Sequence, residues 1–145
     1  MKKLLVINGP NINLLGLREK EIYGTQSYND LLDYINNTAL NAGFTTSCFQ
    51  SNSEGAIVDE IQKAYGVFDA IIINPAAYTH TSIAIPDALK AVGIPAVEVH
   101  LSDISKREAY RQIYYTSEAC MLTIAGKGFN GYGEAIEFLK DKIKN

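Results

Sequence analysis

The segment Ala70-Ile71-Ile72-Ile73-Asn74 constrains this chain more than any other. An unbroken, β-branched apolar run of this length reads as a strand buried on both faces. Such strands belong to the middle of parallel sheets covered by helices above and below. Similar runs lie at residues 3–8, 44–50, 96–100 and 120–125, and an amphipathic stretch follows each of them. The first such stretch starts at Ser27 and runs to about Ala42, with Leu31, Leu32, Ile35 and Leu40 at helical spacing and Gly43 as its stop. The second begins at Ser53 and ends near Gly66, with Ile57, Val58 and Ile61 as its inner stripe. A third lies within 81–92 and ends at Gly93, where Pro86 either kinks the helix or marks its first turn. A fourth, capped by Asp103 or Ser105, is expected to reach about Tyr115, and a fifth runs from about Tyr132 to Lys142.

Five βα units in succession predict an α/β protein. At 145 residues the natural expectation is one domain spanning 1–145. The expected architecture is a flavodoxin-like three-layer α/β/α fold with a five-stranded parallel sheet of order 2-1-3-4-5. Ligands in such sheets bind beyond the carboxyl ends of the strands, so each strand's last residue and the loop after it are read together.

Several function classes fall away on composition. A net charge of −3 supplies no basic field for nucleic acid. No run approaches the roughly 18 apolar residues of a membrane span. The apolar run at the amino end stops at Asn8-Gly9-Pro10, too short for a signal peptide. Cys48 and Cys120 stand apart without ligand spacing, which fits a reduced, cytoplasmic protein and no metal site. The glycine-rich loop 126–133 follows the last strand and lacks the βαβ unit that a dinucleotide fingerprint needs. Its glycines read as backbone geometry and close helix–sheet packing. No phosphate-loop or nucleophile-elbow pattern is present. A phosphorelay receiver would want acids where Asn8 and Asn74 stand.

The carboxyl edge is richer. The first strand leads into a loop, Asn8 to Thr25, that is too long for an ordinary strand-to-helix turn and carries Asn11, Arg18 and Tyr23. Its part at about 16–25 is expected to be a lid. Both histidines of the chain, His80 and His100, fall at strand ends. Glu98 and His100 are two apart on a strand and share a face. A carboxylate beside an imidazole fixes its tautomer and favours the protonated ring, which suits a general acid. The plainer alternative is a polar strand end whose two groups satisfy each other. Tyr23 as a base would need a cation to favour its phenolate, and Arg18 on the same loop is the candidate. Against this, the chain has nine tyrosines, and most tyrosines simply pack with a wet hydroxyl. His80 sits among Thr79, Thr81 and Ser82, and Leu101-Ser102 is expected to open the next helix. Two helix amino termini beside two histidines would suit a small carboxylate, or would be ordinary capping. Arg107 and Arg111 are expected at i, i+4 on the fourth helix, where they meet either an anion or a surface partner such as Asp103 or Glu108.

Seven segments in order make a specific pattern. They are Asn8-Gly-Pro-Asn-Ile-Asn-Leu-Leu-Gly16, Arg18-Glu-Lys-Glu-Ile-Tyr23-Gly24, Gln50-Ser-Asn-Ser-Glu-Gly55 and Asn74-Pro-Ala-Ala-Tyr-Thr-His-Thr-Ser82, then Val97-Glu-Val-His-Leu-Ser102, Arg107-Glu-Ala-Tyr-Arg111 and Gly126-Lys-Gly-Phe-Asn-Gly-Tyr132. Together they resemble the type II 3-dehydroquinate dehydratases over nearly the whole chain. The resemblance implies a cofactor-free anti elimination of water from 3-dehydroquinate, giving 3-dehydroshikimate in the shikimate or quinate pathway. It implies Tyr23 as the tyrosinate base, Arg18 as the cation beside it, and Asn11 as a holder of water at the enolate. It further implies His100 as the acid, oriented by Glu98, and substrate contacts from Asn74, His80, Leu101, Ser102 and Arg111. Asp87 matches a residue that completes the site near a subunit boundary, and the family assembles trimers into dodecamers. The chain departs from the family's usual pattern at Ser53 and Tyr114, both outside the proton-transfer pair, and in having Pro86 just before Asp87. Two other readings remain: a flavodoxin-like binding module without catalysis, and a relative that binds quinate but has lost turnover.

Overall fold

The computed structural model describes residues 1–17 and 25–143. Arg18 and Tyr23, and most of the stretch expected to form a lid, lie outside the described residues. Five parallel strands form one sheet: β1 (Lys2–Asn8), β2 (Phe44–Gln50), β3 (Ala70–Asn74), β4 (Ala96–His100) and β5 (Leu122–Ala125). Their order is β2-β1-β3-β4-β5, the flavodoxin-like arrangement expected. Among the described residues four α-helices flank it: α1 (Tyr28–Asn41), α2 (Glu54–Lys63), α3 (Ala84–Val92) and α4 (Asn130–Ile143).

Helix α1 begins where the sequence says it should. The Ser27 side chain accepts from the Asp30 N–H, and the Asp30 carboxylate accepts from the Ser27 N–H, a reciprocal capping box. Helix α2 is capped by Ser53, whose hydroxyl accepts from the Ala56 N–H. In α3, Pro86 sits in the first turn, where its missing N–H costs nothing, so the helix does not kink there. The strand residues divide by parity between two cores. Leu4, Val6, Ile72, Val97 and Val99 face α1 and α4. Leu5, Ile7, Ile71 and Ile73 face α2 and α3. Complete burial of Ile71, Ile72 and Ile73 is the physical content of the central-strand reading. Gly131 lets α4 lie close to the sheet: a Cβ there would come 3.3 Å from Val99 Cγ1.

The helix expected after β4 does not form. Residues 103–119 instead make three short 3₁₀ turns, Ile104–Lys106, Ala109–Arg111 and Tyr115–Ala119. Two causes are visible. The stretch offers little to bury, since Ile104 is buried while Tyr110 and Ile113 are 72% and 56% exposed. The Gln112 amide also donates to the carbonyls of Ile104, Arg107 and Glu108, satisfying them from a side chain rather than a helical ladder. Leu101 and Ser102 therefore open a loop, not a helix. Arg107 and Arg111 are not an i, i+4 helical pair.

Candidate active site

The ends of β1, β3 and β4 are joined by their own polar groups. The fully buried Tyr132 hydroxyl of α4 donates to Asn8 Oδ1 at 2.6 Å and accepts from Asn74 Nδ2 at 3.0 Å. Asn74 Oδ1 in turn accepts from the Ala76 N–H at 3.1 Å. That bond helps hold Ala76 at φ 52°, a left-handed conformation that costs a residue with a Cβ. Asn11 is also left-handed, at φ 70°. Its N–H donates to Asn52 Oδ1, and Gln50 ties Asn52 to the Gly9 carbonyl, so the Gln50–Gly55 segment serves as a brace for the Asn11 turn.

These turns form one wall of a cleft at the carboxyl edge. Asn11, Ile12, Leu15, Asn74, Ala76 and His80 line it from one side; His100, Leu101, Ser102, Arg107 and Arg111 line it from the other. The structure thus brings together seven of the expected site residues: Asn11, Asn74, His80, His100, Leu101, Ser102 and Arg111. Glu98 stands directly behind His100. Asp87 does not join them. It is exposed on α3, outside its own chain's cleft. Among the described residues no three His, Cys, Asp or Glu side chains converge as a metal site would require. No helix among them is long and apolar enough to cross a membrane.

His100 and Glu98 form the chemical centre. His100 is 4% exposed and Glu98 fully buried, and His100 Nε2 lies 2.5 Å from Glu98 Oε2. The other hydrogen bonds to this carboxylate come from hydroxyls: Thr79 to Oε2 at 2.7 Å and Ser117 to Oε1 at 2.6 Å, with Thr123 further off at 3.5 Å. Burial alone would push the Glu98 carboxyl up. Donation and charge from His100, with donation from Ser117 and Thr79, outweigh burial and hold it below the usual carboxylate range. Glu98 is therefore an anion that fixes the Nε2–H form of the ring and leaves Nδ1 as the other nitrogen.

His80 is set differently. Its Nδ1 lies 2.8 Å from the Ile113 carbonyl, an acceptor only, so Nδ1 carries the proton. Burial lowers the tendency of this ring to charge, against the Ile113 bond, and the nearby His100 and Arg111 add to the lowering. It presents a neutral imidazole. His80 ends the 3₁₀ turn Ala76–His80 and does not begin a helix, and Thr79 serves Glu98 as a donor in place of a cap. The expectation of paired helix amino termini is corrected at Leu101–Ser102, which opens no helix; on the other side α3 begins four residues after His80, and Ser82 Oγ accepts from the Ile85 N–H at 3.1 Å as a capping hydroxyl. The Tyr114 ring lies against His80 with centroids 5.5 Å apart and planes tilted by 55°, so that departure from the family's usual pattern touches a residue of the cleft wall. Arg111 Nε donates to Glu108 at 2.7 Å, the surface partner foreseen for it, while the guanidinium still borders the cleft.

Sequence reasoning missed Thr79, Ser117 and Thr123 around Glu98, because no local pattern predicts which hydroxyls a strand end will meet. Arg107 was noted but not placed in the cleft. Tyr132 had a usable signal. It shares the inner stripe of α4 with Ala135, Ile136 and Leu139, and a buried tyrosine hydroxyl needs a partner. Neither cysteine is a nucleophile here: burial pushes the Cys48 thiol up to about 11, and burial with the Glu98 charge pushes Cys120 up to about 12.

Fold and cleft define a flavodoxin-like α/β protein with a buried carboxylate–imidazole pair at the carboxyl edge of its sheet. Residues 2–140 match the family model described as Dehydroquinase class II, and the chain belongs to that family. It is 56% identical over 143 residues to a 3-dehydroquinate dehydratase of Clostridium perfringens, covering 98% of this chain and 99% of the relative. It is 54% identical over 142 residues to one of Caldicellulosiruptor bescii, covering 97% and 98%. The solved type II dehydroquinase of Butyrivibrio crossotus superposes with a TM-score of 0.93 at 49% identity, covering 95% of this chain and 97% of that one.

Proposed function

We propose that this protein is a 3-dehydroquinate dehydratase, a hydro-lyase that eliminates water by general acid–base catalysis in the shikimate or quinate pathway. One observation carries the acid half of the mechanism: a buried, ionised Glu98 holds His100 by Nε2 at the wall of the cleft. In the reaction, the Tyr23 phenolate removes a proton from the carbon next to the ketone. The electron pair left behind forms an enolate. As the enolate collapses, the bond to the leaving hydroxyl breaks, and His100, protonated on both nitrogens, gives its Nδ1 proton to that oxygen. Water and 3-dehydroshikimate result, and no cofactor is required. Arg18 favours the phenolate and steadies the developing charge. Asn11 holds a water at the enolate oxygen, where fixed dipoles act most strongly. Asn74, His80 as a neutral acceptor, the Leu101 and Ser102 backbone, and Arg111 position the substrate's hydroxyls and carboxylate.

Tyr23 is supported by its place in the chain and by the family pattern. It lies two residues before Thr25, whose carbonyl oxygen would be 3.2 Å from a Cβ at Gly16, beside the cleft residue Leu15. Asp87 completes a neighbouring subunit's site in this reading, which accords with its exposure outside its own cleft, and the assembly is a dodecamer of trimers.

The purified protein should convert 3-dehydroquinate to an enone absorbing in the ultraviolet, with no added metal or cofactor. It should also survive borohydride in the presence of substrate, because no lysine Schiff base forms. Absence of turnover, or loss of activity on borohydride treatment, would overturn the proposal. Light scattering should give about 190 kDa, twelve times the 15.9 kDa chain.

A further inference from the structure

The Glu98 carboxylate sits at the meeting point of four elements. His100 shares β4 with it. Thr79 comes from the turn after β3, Ser117 from the 3₁₀ turn before β5, and Thr123 from β5 itself. The two carboxylate oxygens are served unequally. Oε2 accepts from both His100 and Thr79. Oε1 has one short donor, Ser117 at 2.6 Å, and Thr123 only at 3.5 Å. The single Thr123 proton is better placed toward Ser117 Oγ, at 2.9 Å, and a bond there commits the Ser117 proton to Glu98 and strengthens that bond. Glu98 is fully buried, so these hydroxyls stand where water would otherwise solvate the charge.

We infer that Ser117 and Thr79, with Thr123 behind Ser117, are positioning residues that set the proton affinity of the Glu98–His100 pair. A carboxylate relieved by two hydroxyl donors pulls less strongly on the imidazolium proton and leaves His100 a stronger acid. Removing a donor makes the carboxylate more basic, so the pair holds its last proton to higher pH. Among the described residues, the charged and titratable groups facing the pair from other elements are His80, Arg107 and Arg111 across the cleft and Cys120 near Glu98. None of them is changed by these substitutions. The inference rests on the acid role proposed for His100, but its test does not depend on turnover.

The chain has two histidines, so imidazole NMR of the ligand-free protein separates the His100 signals from those of His80. Ser117→Ala and Thr79→Val should each raise the midpoint at which the pair releases its last proton by about one pH unit. Ser117→Thr and Thr79→Ser, which keep a hydroxyl, should restore it. Thr123→Val, at an exposed position of β5, should move the midpoint the same way by less. In turnover, Ser117→Ala should move the proton-donor limb of the kcat profile upward in step. Its kcat should fall about three- to tenfold with KM almost unchanged, as a weaker acid predicts. A midpoint that moves in a preparation that does not dehydrate 3-dehydroquinate supports the tuning and overturns only the assigned reaction. A midpoint unmoved in folded Ser117→Ala, or in Thr123→Val if the first does not fold, overturns the inference.

Discussion

The hydroxyl of Tyr132 donates to the side chain of Asn8 across 124 residues of sequence, at 2.6 Å and with both groups fully buried. Because the same oxygen accepts from Asn74, one phenol fixes the ends of two adjacent strands, β1 and β3. Burial pushes the Tyr132 hydroxyl well above its usual range, so it remains a proton donor at every working pH. Tyr132→Phe leaves Asn8 Oδ1 without its donor and Asn74 Nδ2 without its acceptor. The expected loss is about 1–3 kcal/mol of stability, because buried polar groups left unpaired keep their desolvation penalty. Urea unfolding measures it, and a change below about 0.5 kcal/mol would contradict the tie.

Glu98→Gln removes the charge that steadies the imidazolium. We expect kcat to fall on the order of a hundredfold or more, with KM changing little, in steady-state assays. A pH consequence follows from the depressed carboxyl. Its folded value lies below the unfolded one, about 4.3 for glutamate, so its stabilising contribution is complete above that unfolded value. The contribution is lost as pH falls from there through the lower folded value. Thermal unfolding of the wild type should therefore drop more steeply below about pH 4.3 than that of Glu98→Gln, and parallel curves would argue against it.

Tyr23→Phe separates chemistry from binding. With the base gone, kcat should fall by about three orders of magnitude or more, while calorimetric affinity for a substrate or product stays within a few-fold. Retention of most activity would remove Tyr23 from the base role.

Gly9→Ala tests how closely the β1 and β3 ends approach. The Gly9 N–H donates to the Asn74 carbonyl at 2.7 Å, and a Cβ on Gly9 would lie 2.7 Å from the Pro75 carbonyl oxygen. Backbone has little room to yield, so the substitution should cost about 1–3 kcal/mol and displace the Asn11 and Ala76 turns. A drop in both melting temperature and kcat/KM is the expected result.

Much of this protein was legible in one dimension. The Ile71–Ile73 run implied a two-sided central strand, and the serines at 27 and 53 marked helix starts, because apolar period and capping chemistry are local properties. Glu98 and His100 were readable as a pair for the same reason, since strand geometry puts i and i+2 on one face. The segment after β4 was misread because its helical spacing is real but carries no apolar face worth burying. There, tertiary demand and the Gln112 side chain prevailed over local propensity.

What only the tertiary structure decided is who meets whom. Thr79 and Ser117 each stand 19 residues from Glu98, in turns with no shared pattern, yet both donate to one carboxylate. Tyr132 reaches Asn8 only because α4 packs over the sheet at β3, β4 and β5 and so brings its first turn to the end of β1. The sequence by itself determined the class of fold, the strand ends and the acid pair. Partnership among buried polar groups depended on how parallel strands and their crossovers close on one another. Desolvation penalises such a group left without a partner, but chain order does not say which partner it will meet.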